Sequence, residues 1–289
     1  MRVLIAGAEG QVGRALTGAA PPRMTVRALG RSQLDLTEPG QVARVVSDFR
    51  PDLVVNAAGY TAVDRAEAEP DAARAVNEEG ARHLAEAAAE TGARMLHFST
   101  DYVFDGKQGR PYGPDDPPNP LNVYGISKLA GERAVLETLA ARAVVLRTAW
   151  VYAATGRNFL GTMLRLLKER EQVEVVSDQV GTPTSAPSVA AAAWAIAGRP
   201  EVHGLAHWTD GGVASWYEFA VAIRKEGLRT GLLQRAATIL PVPTESYPSP
   251  ACRPCYSVLD TSATRAALQL TPDHWEVALR RTFGEPADA

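Results

Sequence analysis

The stretch "RVLIAGAEGQVGRAL", residues 2–16, passes from a β-branched apolar run through closely spaced glycines into a helical pattern. Residues 2–7 read as a strand and 10–20 as a helix, so Gly7, Gly10 and Gly13 fall where the two meet. Glycine at that place permits a tight turn, lets backbone N–H groups approach a pyrophosphate and allows helix and strand to pack closely. The helix N-terminus then favours the anion. The G-x-x-G-x-x-G spacing alone is weak in a chain with 24 glycines; its place directly after the first strand gives it weight. The plainer alternative is a glycine-rich turn that holds nothing.

Working outward, "TVRALG" (25–30), "DLVVNAA" (52–58), "RMLHFST" (94–100) and "AVVLRTAW" (143–150) read as further strands, with helical patterns between them at 39–49, 70–91 and 121–140. The strands are apolar nearly throughout, as expected where helices cover both faces of a sheet. The expected fold is α/β: a doubly wound parallel sheet, Rossmann-like, over residues 1–153, with 184–209 packing back onto it. Helical spacing recurs at 158–170, 191–198 and 215–227, after which Pro241, Pro243, Pro248, Pro250 and Pro254 interrupt any long element. Residues 154–183 and 210–289 are expected to build a smaller C-terminal α/β substrate-binding lobe.

The 289 residues are 46% hydrophobic and 22% charged with a net charge of −3, which argues against a nucleic-acid or anionic membrane partner. No apolar run approaches the roughly 18 residues of a spanning helix, so a cytoplasmic location is expected. Cys252 and Cys255 in "ACRPCYS" could be a redox pair or half a zinc site, but two thiolates do not complete a tetrahedron and the five histidines show no metal spacing. They read as incidental thiols, and no metal is expected.

Charge at the end of the second strand bears on the choice of dinucleotide. An acid there suits the ribose 2′-OH of NAD, and an arginine the 2′-phosphate of NADP. The chain reads "ALGRSQLD", placing Arg31 before any acid, with Asp35 and Leu36 following. This leans toward NADPH, with NADH as the alternative and a solvated loop cation as the bland reading of Arg31. "NAAGYT" (56–61) ends the third strand in small residues, so Ala57, Ala58 and Gly59 would let a cofactor lie across it.

Tyr124 and Lys128 in "YGISK" are four apart and share a helix face. An ammonium there is expected to depress the phenol from its ordinary pKa of about 10, fitting Tyr124 for proton transfer. Thr100 ends a buried strand at its carboxyl end, where open α/β sheets bind ligands. Ser99, one residue earlier, is expected to point to the opposite face.

A glycine turn, a hydroxyl ending a later strand and Y-x-x-x-K together resemble the extended short-chain dehydrogenase/reductase family. "VNAAGYTAVDRAE", "STDYVFDG", "PLNVYGISKLAGE", "RTAWVY", "DQVGTPT", "SWYEFA" and "RPCYSVLD" narrow the resemblance, over nearly the whole chain, to its dTDP-4-dehydrorhamnose reductase branch. The resemblance implies NADPH-dependent reduction of the 4-keto group of a nucleotide-activated 6-deoxyhexose, with Thr100, Tyr124 and Lys128 as the catalytic set. It also implies cofactor contacts from Gly10, Gln11, Val12, Asp35, Leu36, Gly59, Tyr60, Thr61, Phe98 and Lys128, and substrate contacts from Thr100, Asp101, Tyr102 and Trp150. Arg253 is a candidate for phosphate oxygens, which a guanidinium binds bidentately, or simply a loop arginine. Trp150 offers an apolar face or plain packing. Ala15 stands where some members carry a metal-binding Glu at a dimer interface, so a metal-bridged dimer is not expected, and a plain homodimer is left open. Two other functions stay beside this one: a related 4-ketoreductase or epimerase, and a non-catalytic NADP-binding regulatory subunit.

Overall fold

The computed structural model describes residues 1–284. Strands β1 (Arg2–Ala6), β2 (Thr25–Leu29), β3 (Leu53–Asn56), β4 (Arg94–Thr100) and β5 (Ala143–Thr148) alternate with helices α1 (Gln11–Gly18), α2 (Pro39–Phe49), α3 (Val63–Ala68), α4 (Pro70–Arg74), α5 (Gly80–Thr91) and α6 (Val123–Leu139). Beyond β5 come β6 (Val151–Tyr152), α7 (Phe159–Glu169), β7 (Gln172–Val176), β8 (Val180–Gly181), β9 (Thr184–Ser185) and α8 (Ala186–Ala197). The chain then forms β10 (Gly204–His207), β11 (Ala214–Ser215), α9 (Trp216–Arg229), β12 (Thr238–Val242), α10 (Ser262–Leu268) and α11 (Trp275–Thr282).

Six strands form one parallel sheet in the order β10-β5-β4-β3-β1-β2. One face packs on α1 and α8 through Ile5, Leu96, Leu146 and Trp194, and the other on α2, α5 and α6 through Leu4, Val54, Leu84 and Val135. Strand order reverses between β1 and β3, which opens a crevice at their carboxyl ends, the general ligand position in such sheets. A second apolar cluster joins α7, α9 and α11 to the β7–β12 pair, around Met163, Phe219, Ile223 and Trp275.

Three expectations about elements change. β2 is an edge strand with Thr25 and Arg27 exposed, because only β1 pairs with it. The helix expected over 70–91 is broken: a π-helical turn, Ala75–Glu79, separates α4 from α5. Its buried Asn77 accepts the Tyr60 N–H and donates to the Tyr60 carbonyl and the Ser127 hydroxyl, so tertiary hydrogen bonds hold the wider turn. The strand expected to reach Trp150 ends at Thr148, since Trp150 takes a left-handed φ of 47°.

Candidate active site

The turn after β1 is built around contacts that only glycine permits. Gly7 has a φ of 82°, and a Cβ there would sit 2.5 Å from the Ala58 nitrogen. A Cβ on Gly13 would sit 2.2 Å from the Gly7 carbonyl oxygen, so α1 and β1 close on each other with bare backbone between them. Gly10 caps α1 in extended conformation, and the helix N-terminus opens into a cavity of about 500 Å³. Gly10, Gln11, Val12, Ala57, Ala58, Gly59 and Thr61 line it from the turn and β3. Phe98, Thr100, Asp101, Tyr124, Lys128 and Trp150 line it from β4, α6 and the end of β5. An adjoining recess of about 240 Å³ is lined by Gly7, Arg31, Asp35, Leu36 and Tyr60. Arg31 is exposed there, 3.7 Å from Asp35.

Helix α6 begins at a built cap. The Asn122 side chain accepts the Gly125 N–H at 2.8 Å and donates to the Cys252 carbonyl, while Glu67 accepts the Val123 N–H. Asn122 thereby ties the start of this helix to the loop before Arg253. Gly125 allows close approach, since a Cβ would lie 2.2 Å from the Tyr102 carbonyl oxygen. The Tyr124 ring meets Tyr102 edge-on at 5.9 Å.

One expectation about electrostatics is overturned. Burial pushes the Tyr124 phenol up to about 12, against a lowering interaction with Thr100 and with a further rise from the Asp101 charge; Lys128 does not depress it. Lys128 instead donates to the Phe98 carbonyl at 2.7 Å and lies 3.5 Å from His97 Nε2. Burial brings its ammonium down to about 8, partly countered by Glu132. A phenol raised in this way is held in its protonated form, as a proton donor requires.

Thr100 Oγ1 lies 3.0 Å from Asp101 Oδ1 and accepts the Tyr102 N–H at 3.1 Å. Asp101 is buried and its other oxygen takes the Ser257 hydroxyl at 2.6 Å. Ser99 also borders the cavity, though its hydroxyl is buried. Its hydroxyl and that of Thr148 are buried without partners, two open polar valences beside the expected reacting centre.

Three residues expected to bind substrate stand differently. Trp150 stacks on Trp216 at 3.6 Å and 4°, so one face of its indole is already covered. Tyr102 is buried behind Tyr124 and is not among the residues that line the cavity. Arg253 also lies off the cavity, donating to Asp64 Oδ2 at 2.8 Å, to Ser249 and to the Ala251 carbonyl. Sequence reading missed Glu9, Arg14, Thr155, Gly156, Arg157 and Asn158, which also line the cavity. A polar loop, "AATGRN", was the available signal for four of them. Gln11 links that loop to the glycine turn, accepting from Asn158 at 2.7 Å and approaching the Val151 carbonyl at 3.3 Å.

A family model described as the RmlD substrate binding domain matches residues 1–287. The chain belongs to the dTDP-4-dehydrorhamnose reductase family. It is 42% identical over 293 residues to the dTDP-4-dehydrorhamnose reductase of Shigella flexneri, covering 99% of this chain and 98% of that one. To the protein of that name from Burkholderia thailandensis it is 45% identical, covering 96% and 97%. Among solved structures, the dTDP-4-dehydrorhamnose reductase of Bacillus anthracis in complex with NADP superimposes with a TM-score of 0.92 at 37% identity, over 98% of both chains. The UDP-glucose 4-epimerase of Thermus thermophilus, a complex with NAD, shares the fold at a TM-score of 0.83 and 21% identity, over 98% of both chains. Among the described residues no helix is long and apolar enough to cross a membrane.

Proposed function

We propose that this family member reduces the 4-keto group of dTDP-4-dehydro-β-L-rhamnose to give dTDP-L-rhamnose, with NADPH as the cofactor. The observation that carries the reading is the convergence of Thr100, Tyr124 and Lys128 on one cavity that runs onto the glycine turn. The residues fit a dinucleotide: Gly7 and Gly13 let the turn and α1 close on bare backbone, Gly10 lines the cavity without a side chain, and α1 aims its free N–H groups there. The flanking Arg31, exposed and only loosely paired, is placed to take a 2′-phosphate. When bound, the nicotinamide supplies a hydride to the carbonyl carbon.

The chain's own groups complete the reaction. Tyr124 donates the proton to the oxygen as charge develops, Thr100 meets the same oxygen, and Lys128 holds the nicotinamide ribose. The 154–183 and 210–284 lobe takes the nucleotide sugar. Trp150, fixed by Trp216, presents its free edge to the ring, and Arg253 exchanges its Asp64 partner for the diphosphate. A nucleotide-sugar substrate and NADPH support a cytoplasmic location.

Following NADPH absorbance with dTDP-4-dehydrorhamnose against other nucleotide 4-ketosugars, then identifying the product, tests the reading. Tyr124→Phe is expected to lower reduction at least about a hundredfold, within the 10² to 10⁴ range of acid–base catalysis. Stoichiometric NAD in the purified protein, with no net NADPH oxidation, would favour an epimerase.

A further inference from the structure

A hydroxyl carries one proton, and an ionised carboxylate can only accept. Thr100 already accepts the Tyr102 N–H, so its proton goes either to Asp101 Oδ1 at 3.0 Å or toward the cavity, where the Tyr124 hydroxyl and the reacting oxygen both lie. With Asp101 ionised, the hydroxyls of Thr100 and Ser257 both donate to it, and Thr100 turns only a lone pair to the cavity. With Asp101 protonated, its O–H donates to Thr100 Oγ1, Ser257 still donates to Oδ2, and the Thr100 proton is released toward the substrate oxygen. Every donor and acceptor of the cluster is matched in that second arrangement.

We propose that Asp101, held by Ser257 across 156 residues of chain, is a positioning residue whose protonation decides whether Thr100 donates to the reacting oxygen. The inference rests on the reading that Thr100 meets that oxygen. Asp101 is 2% exposed and Ser257 1%, and Asp101 makes no ion pair among the described residues. The ionisable groups facing it are the phenols of Tyr102 on its own turn and Tyr124 on α6. Arg253 of the lobe acts on Tyr102 and pairs with Asp64, and Lys128 is turned to the Phe98 carbonyl. Burial pushes Asp101 up to about 6, while Ser257, Thr100 and the backbone N–H groups of Asp101 and Tyr102 pull it back. The protonated form is the competent one, so activity is full below the pKa that Asp101 has in the loaded enzyme. It falls about tenfold per pH unit above that pKa.

The experiment is the pH dependence of kcat for NADPH-coupled reduction of dTDP-4-dehydrorhamnose between pH 5.5 and 9, with thermal unfolding recorded for every variant. Thr100→Val is expected to lower kcat about a hundredfold on the low-pH plateau, the scale of one lost oxyanion donor, with the deficit narrowing as pH rises through the Asp101 limb, where the wild-type threonine no longer donates. Asp101→Asn, whose amide N–H donates to Thr100 as the acid does, is expected to hold the Thr100 proton toward the cavity at every pH, whatever kcat the loss of the carboxylate itself leaves. It should also abolish the Asp101 limb, leaving only the loss at higher pH that Lys128 governs. Ser257→Ala removes a donor to the ionised form and is expected to move the limb upward by about one pH unit. Unchanged turnover in Thr100→Val would sink the reading of the site itself. An impaired Thr100→Val beside a limb that Asp101→Asn leaves in place, or that Ser257→Ala does not move, overturns the inference alone.

Discussion

Helix α6 carries two buried charge sites one turn apart, and they are finished differently. Glu132 and Arg147 form a bidentate pair with oxygens at 2.8 and 2.6 Å, each side chain 2% exposed. Arg147 also lies over the Phe104 ring and 3.5 Å from His207 Nε2, while His207 Nδ1 reaches the Tyr112 carbonyl. Burial and the neighbouring guanidinium drive His207 down to about 3, so the imidazole is neutral and can accept from Arg147. Each guanidinium nitrogen of that site finds a protein acceptor.

Lys128, four residues before Glu132, is equally buried but has no carboxylate partner closer than that same Glu132, which Arg147 occupies. Its ammonium reaches one carbonyl and faces one imidazole, and Ser99 and Thr148, which border the same cavity, keep buried hydroxyls without partners. A buried charge completed by its own fold serves stability or specificity, whereas one left incomplete awaits a ligand.

Breaking the finished site should have the largest effect on stability. Glu132→Ala leaves Arg147 buried and unpaired, and denaturant unfolding should record a loss of about 3–5 kcal/mol. The double variant Glu132→Leu with Arg147→Met should recover most of it, because neither charge is then stranded.

The unfinished site should respond in the opposite sense. Lys128→Met removes an ammonium whose folded pKa has dropped from 10.5 to about 8, and should stabilise the fold by up to about 3 kcal/mol at pH 7. The same variant should lose reduction. In the wild type the folded state binds fewer protons than the unfolded one between pH 8 and 10.5, so stability rises with pH in that window. Lys128→Met should flatten this rise, and chemical denaturation at pH 7, 8.5 and 10 checks it.

A smaller effect is expected at Asp210, which follows β10 and bonds to β9. One oxygen accepts the Ser185 N–H at 2.8 Å; the other is buried without a partner, as is the hydroxyl of Tyr152. Burial raises Asp210 to about 6. Here the folded state binds more protons than the unfolded one between about 4 and 6, so stability is lost as pH rises through that window. Asp210→Asn should raise the unfolding free energy by about 2 kcal/mol at pH 8 and by little at pH 4, read by thermal melts at both.

Local periodicity explains why much of the core was legible. The runs 2–7, 94–100 and 143–150 alternate with helical patterns at lengths that a doubly wound sheet requires, and each supplies a strand of the parallel sheet, the last ending at Thr148. The π-turn at Ala75–Glu79 was not legible, since it depends on Asn77 finding Tyr60 and Ser127, 17 and 50 residues away. The candidate site divides the same way. Tyr124 and Lys128 face one side because an i, i+4 pair on a helix must. The expected depression of the tyrosine by the lysine failed because spacing says nothing of where a long side chain finds its acceptor, and Lys128 turns to Phe98.

The sequence by itself determined the strand–glycine–helix turn, the hydroxyl at the end of β4 and the Tyr124–Lys128 face, all consequences of backbone geometry acting over a few residues. Only the tertiary structure decided that Arg253 is held by Asp64, that Trp150 leans on Trp216, and that Ser257 reaches Asp101. Those partners lie 66 to 189 residues apart in the chain. Hydrogen bonds and ring stacking act over a few ångströms of space, so such pairings exist only once the sheet and the lobe have been packed together.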